Sequence, residues 1–128
     1  MSSRIELTIF IAAPIERCFD LARDVEAHMS STPGTAERAV AGRTTGLFEL
    51  DDEVTWEAVH FRVKQRLTTR ITKFDRPHHF RDSMVRGAFR RFDHDHFFTE
   101  ANGGTQCRDI FDFDAPLGPL GWFAERAF

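Results

Sequence analysis

The chain is 128 residues long and 41% hydrophobic, enough for one domain with a buried core. A formal charge of −3 and a pI near 6.0 exclude the basic surface of a phosphate-backbone binder, so no nucleic-acid partner is expected. No run is apolar for long enough to cross a bilayer or form a signal-peptide core, so the expectation is a cytoplasmic protein with no membrane span.

Near the N-terminus, Ile5, Leu7, Ile9 and Ile11 alternate with Glu6, Thr8 and Phe10, the period-two pattern of a half-buried strand. Pro14 suits the first position of a helix, and Ile15, Cys18, Phe19 and Ala22 follow at helical spacing as one apolar stripe. Asp24 can cap a second short helix, VEAHM, which the breaker cluster SSTPG ends. From Glu37 onward the pattern is almost all strand, at about 37–41, 53–63, 65–75, 79–86, 89–100 and 105–114. Turn signals separate these runs, among them Arg76-Pro77 and the strong hairpin dipeptide Asn102-Gly103. Short connections between consecutive strands predict an antiparallel meander. At the C-terminus PLGPLG is a loop, and WFAERAF supplies the first turns of a helix.

Two residue types narrow the chemistry. Cys18 and Cys107 are far apart with no CxxC, and both are expected as reduced, packed thiols. Fourteen Phe and no Tyr mean that a pocket here has aromatic walls without a phenol, so polar contacts must come from other side chains. The stretch FDHDHFF, read as a strand, sends Phe92, His94, His96 and Phe98 to one face and Asp93, Asp95 and Phe97 to the other.

The order of strand, two helices, six strands and a helix start resembles the helix-grip fold of the SRPBCC, START and Bet v 1-like superfamily. The likeness spans nearly the whole chain. It is carried by APIERCFDLA after the first strand, then ITKFDRPHHFRDSMVRGAFRRFDHDHFF, then GGTQCRDIFDFDAPLGPLG, the middle stretch being the most specific. It is similar to small bacterial members described as polyketide cyclase/dehydrase-like. The resemblance implies an α+β fold in which a curved seven-stranded antiparallel sheet grips a C-terminal helix around a cavity for an apolar ligand. A closing helix needs about 20 residues at about 1.5 Å each, more than WFAERAF offers, so the cavity is expected to be open at one side unless a tail follows. A homodimer would cover such an apolar opening.

Alternation then names the cavity-facing rows. Phe98 points into the core before the hairpin, which places Phe92, His94 and His96 on its face. Phe80, Asp82 and Met84 form the matching row of the preceding strand, Cys107, Asp109, Phe111 and Phe113 that of the last strand, and Val54, Trp56, Ala58 and His60 that of the third. A bulge would slip any row by one residue. The expected ligand-binding set is Trp56, His60, Phe80, Asp82, Met84, Phe92, His94, His96, Phe98, Asp109, Phe111 and Phe113.

Within that apolar interior, Asp82, His94, His96 and Asp109 must pair or meet water or ligand, because an unpaired buried charge costs more than one large apolar side chain returns. One reading is an Asp-His network that fixes strand register. Another makes it the polar anchor of a ligand pocket. A third is a metal site of HxH plus a neighbouring carboxylate, but no third histidine is set by spacing, and no metal or other cofactor is expected. The last is catalysis, with His94 or His96 as general acid or base beside Asp82 or Asp109, in a cofactor-free cyclase or dehydratase. No GxSxG elbow, P-loop or GxGxxG motif is present. The cluster Arg86, Arg90 and Arg91 reads as a solvated strand end or an anion contact, and DDEVTWE as an exposed turn and strand entry. The functional expectation is binding of a hydrophobic or amphipathic, lipid- or polyketide-like molecule between sheet and C-terminal helix. The alternatives are the cyclase or dehydratase and a protein-interaction module.

Overall fold

The computed structural model describes residues 2–30, 37–60 and 62–114, except for the side chain of His60. The elements are β1 (Ser2–Ile11), α1 (Ile15–Ala22), α2 (Val25–Ser30), β2 (Arg38–Gly42), β3 (Glu53–His60), β4 (Val63–Asp75), β5 (His79–Arg86), β6 (Arg91–Ala101) and β7 (Gly104–Asp114). All seven strands join one sheet in the order β1-β7-β6-β5-β4-β3-β2, and every pairing is antiparallel. This is the α+β helix-grip arrangement. The expected closing helix and its PLGPLG loop fall outside the described residues, as does most of the SSTPG breaker.

The meander follows from its turns. Asn102 and Gly103 take positive φ, as a tight hairpin requires, and β6 and β7 pair without a slip from Arg91↔Asp114 to Ala101↔Gly104. Gly42 also has φ +75°, and a Cβ there would lie 2.2 Å from the Glu53 carbonyl oxygen, so the turn out of β2 needs glycine. Register shifts in β4 near Thr68 and Ile71 and in β2 near Ala39 bend the sheet at one side.

Pro14 is the N-cap of α1, one place earlier than expected, with ψ at 149°. The stripe lands as its spacing requires, with Ile15, Cys18 and Phe19 buried. Asp24 caps α2 by accepting a hydrogen bond from the Ala27 N–H at 3.1 Å. α1 packs over β6 and β7, and α2 packs on α1 and β2. Phe19 is the centre, meeting Phe74, Phe80 and Phe98 edge to face with ring centroids 5.4, 5.2 and 5.3 Å away. Thr105 is fully buried, and its hydroxyl donates to the Ala13 carbonyl at 2.8 Å, tying β7 to the entry of α1. Thr105→Val should therefore cost about 1–3 kcal/mol by leaving that carbonyl short of a donor, readable as a lower urea midpoint at unchanged m-value.

Three expectations shift. β3 ends at His60, and Val63 begins β4. Phe89 is not in β6, which starts at Arg91; its ring turns back onto Phe92 and Phe113, 5.1 and 5.4 Å away. Leu7 and Ile9 of β1 are 57% and 58% exposed, because β1 lies at the sheet edge beyond β7 while α1 covers β6 and β7. No described helix is long and apolar enough to cross a membrane.

Candidate functional site

The site grows from the register of β5, β6 and β7. On the face that α1 covers, His94 stands opposite Asp82 of β5 and Phe111 of β7, and His96 opposite Phe80 of β5 and Asp109 of β7. Each histidine thus has one aromatic and one acidic neighbour across the ladders, with the order reversed between them. The rings stack in one row: Phe80 on His96 at 4.0 Å, His96 on His94 at 3.7 Å, and His94 on Phe111 at 3.9 Å.

The carboxylates close the group diagonally. Asp82 Oδ2 lies 3.0 Å from His96 Nε2 and 3.8 Å from His94 Nδ1. On the other flank, Asp109 Oδ1 lies 3.1 Å from His94 Nε2 and 3.0 Å from His96 Nδ1. Burial works against a charge on His96, yet its hydrogen bonds to Asp109 and Asp82 outweigh that and raise its pKa to about 9. Burial and the adjacent His96 charge push His94 the other way. Burial also opposes ionisation of both aspartates, but the two histidines beside them hold each carboxyl below its ordinary range.

The two imidazoles divide two spaces. One is a cavity of about 60 Å³ on the β3 to β5 side, walled by Trp56, Leu67, Thr69, Ile71, Phe80, Asp82 and Phe92, with Ala22, His28, Glu37 and Phe48 opposite. The other is a groove of about 440 Å³ lined by Ile9, Ile11, Cys18, Leu21, Ala27, Phe98, Cys107 and Asp109 among others. His94 and His96 line both, as do Ala22 and His28. The cavity, at about 60 Å³, is far smaller than ligand pockets of about 300–1,000 Å³, a range the groove reaches.

Of the expected set, Trp56, Phe80, Asp82, Phe92, His94 and His96 meet at the cavity, and Phe98 and Asp109 at the groove. Met84, Phe111 and Phe113 line neither space. Phe113 is buried with Phe89 and Phe92 in a second apolar cluster, against which Met84 and Phe111 pack. The fold of Phe89 over this end of the sheet fills what alternation alone leaves open. The His60 side chain lies outside the described part.

Sequence reasoning missed the wall facing Asp82. His28 of α2 has Nε2 3.0 Å from Glu37 Oε1, and its ring lies 4.3 Å from that of Trp56. The available signal was helical spacing: His28 follows the buried Val25 by three residues and so shares its face. Phe48 comes from a loop that folds back on the helices, its N–H donating to the Arg23 carbonyl at 2.9 Å. No pattern marked it.

Elsewhere, several charged side chains already have partners. Arg91 contacts Asp93, Asp112 and Asp114 at 3.1, 2.6 and 3.5 Å, so its guanidinium is already engaged with carboxylates. In the acidic turn, Asp52 pairs with Arg43 at 2.5 Å and Glu53 with Arg70 at 2.5 Å. Cys18 and Cys107 are both buried free thiols, and burial together with the nearby Cys18 pushes Cys107 up to about 11.

Among solved structures, the chain is similar to TTHA0849 from Thermus thermophilus, with a TM-score of 0.73 and 20% identity over 98% of this chain and 83% of that one. It is also similar to CV1439 from Chromobacterium violaceum, with a TM-score of 0.73 and 15% identity over 97% and 92%. A START superfamily protein from Mycobacterium smegmatis follows at 0.71 and 14% over 97% and 88%. At these identities the likeness speaks for the fold. No curated protein matches the chain. The sequence profile described as polyketide cyclase / dehydrase and lipid transport matches residues 11–128, and with the seven-stranded sheet and its two helices it identifies the chain as a member of that family.

Proposed function

We propose that the protein binds a hydrophobic or amphipathic small molecule, lipid- or polyketide-like, in the groove beside α1, with the polar end of the molecule at the Asp82, His94, His96 and Asp109 group. The observation that carries this reading is the position of that group. Four ionisable side chains close on one another among aromatic rings, and three of them, His94, His96 and Asp109, line an apolar groove of ligand size while Asp82 backs the histidines from the cavity side. The family description, with its polyketide and lipid-transport terms, supports the same ligand class.

The first test is native mass spectrometry of the protein as purified, compared with its denatured mass. A reproducible extra mass of a few hundred daltons, lost on denaturation, is the expected result; a bare mass together with no uptake of fluorescent fatty-acyl probes would sink the reading. A variant pair localises the site. Leu21 is 57% exposed on α1 and lines the groove, so Leu21→Asp should leave folding intact and weaken probe binding by about 10-fold or more, the equivalent of about 1.4 kcal/mol. Leu50, also 52% exposed but lining neither space, is the control, and Leu50→Asp should bind as wild type.

A second reading, turnover of the bound molecule in a cyclase or dehydratase reaction, is favoured by one feature. The His94 imidazole lines the groove and is oriented by Asp109, the arrangement a general base uses. Here His94→Gln should abolish turnover while probe binding persists, whereas a carrier protein loses nothing measurable but affinity.

A further inference from the structure

The geometry points to a second capacity in the same four residues: a binding site for a divalent transition ion of the zinc class, ligated by Asp82 Oδ2, His94 Nδ1 and His96 Nε2, with Asp109 holding both histidines from behind. One ligand atom from each of Asp82, His94 and His96 can be chosen so that all three lie within 4.8 Å of one another. The Asp82 oxygen is 3.0 Å from His96 Nε2 and 3.8 Å from His94 Nδ1. Tetrahedral ligands at ordinary zinc distances stand about 3.3 Å apart, so these two separations fall on either side of the required one.

The second, independent observation is on the far side of the rings. The nitrogens not needed for the ion, His94 Nε2 and His96 Nδ1, both meet Asp109 Oδ1, at 3.1 and 3.0 Å. A carboxylate accepting the other ring N–H is how metal-ligating imidazoles are usually oriented, and here one carboxylate serves two of them. With His94 Nε2–H donating to Asp109, the lone pair of His94 Nδ1 faces the Asp82 carboxylate across 3.8 Å, two acceptors with nothing to share at hydrogen-bond distance. A cation between them resolves that opposition. Charge also balances once the ion displaces the His96 proton, since two carboxylates, two neutral imidazoles and a divalent ion then sum to zero against apolar walls.

Asp82 and both histidines line the 60 Å³ cavity, which leaves the fourth position room for a water or an oxygen of a bound molecule. Three protein ligands with an open position form the catalytic type of zinc site, and imidazole with carboxylate suits that group of metals. The inference does not depend on lipid binding, and its test uses the metal alone.

Chelator-treated full-length protein, with no lipophile added, is titrated with Co²⁺ and followed in the visible spectrum, then challenged with Zn²⁺. A d–d band of four- or five-coordinate intensity, saturating at one equivalent and displaced by Zn²⁺, is expected. Asp82→Asn and His94→Gln should remove it. Asp109→Asn should keep the stoichiometry but weaken binding by about 10- to 100-fold. Absence of the band in wild-type protein overturns the proposal whatever the variants do. So does a band that survives Asp82→Asn, or one that Asp109→Asn abolishes while Asp82→Asn retains it.

Discussion

Phe19→Ala is expected to lower the unfolding free energy by about 3–5 kcal/mol, the range for emptying a large aromatic site in a packed core. Phe19 is fully buried and contacts Phe74, Phe80 and Phe98 edge to face. Those three rings come from β4, β5 and β6, so no single strand can move in to refill the space. The Arg23 guanidinium also sits over the ring, 5.7 Å from its centroid. Because domains of this size are stable by only about 5–15 kcal/mol, the variant should lose a large share of its margin, and the urea midpoint should fall accordingly. Leu21→Ala, one helix face away and 57% exposed, should stay within about 0.5 kcal/mol. A Phe19→Ala loss below about 1.5 kcal/mol would mean that α1 is not anchored through this ring. The consequence reaches function, since Cys18, Leu21 and Ala22 of the same helix wall the proposed groove.

The second large effect is expected from Asp82→Ala combined with Asp109→Ala. Each aspartate contacts both histidines, and together they supply carboxylate partners on both flanks of His96. Removing both leaves His96 between Phe80 and His94 with no carboxylate partner, so burial drives off its proton and the coupled ion pairs are lost, at a cost of about 3–5 kcal/mol. His94→Phe makes the contrast. It extends the ring row of Phe80, His96 and Phe111 and leaves His96 both carboxylates, so it should cost less than about 1.5 kcal/mol. Both are measured by urea unfolding with chelator present, which separates the proton-bound group from any metal effect. If the double alanine costs no more than His94→Phe, the four residues do not act as a coupled unit.

The candidate site was partly legible because strand side chains alternate strictly and one face of this sheet is covered. Once Phe98 was assigned inward, His94, His96 and Phe92 had to follow, and the same rule placed Asp82 and Asp109 on their strands. Alternation cannot say which carboxylate meets which imidazole. That depended on the pairing of His94 with Asp82 and of His96 with Asp109, and then on side-chain reach across the diagonal. It also could not show that Phe113 and Met84 are taken up by a separate cluster, because the turn-back of Phe89 is a long-range packing choice.

By itself the sequence determined the order of elements, the turns, the faces of the inner strands and the family, all of which rest on local periodicity, backbone-specific residues such as Asn102-Gly103 and Pro14, or motifs contiguous in the chain. Only the tertiary structure decided that two histidines and two aspartates close into one group, that His28 and Glu37 face them across a small cavity, and that the larger space lies on the β1 and α1 side. Those outcomes need strands distant in sequence to be set in one register and loops to fold over them, and the free energy of that choice lies in contacts between residues that no local pattern connects.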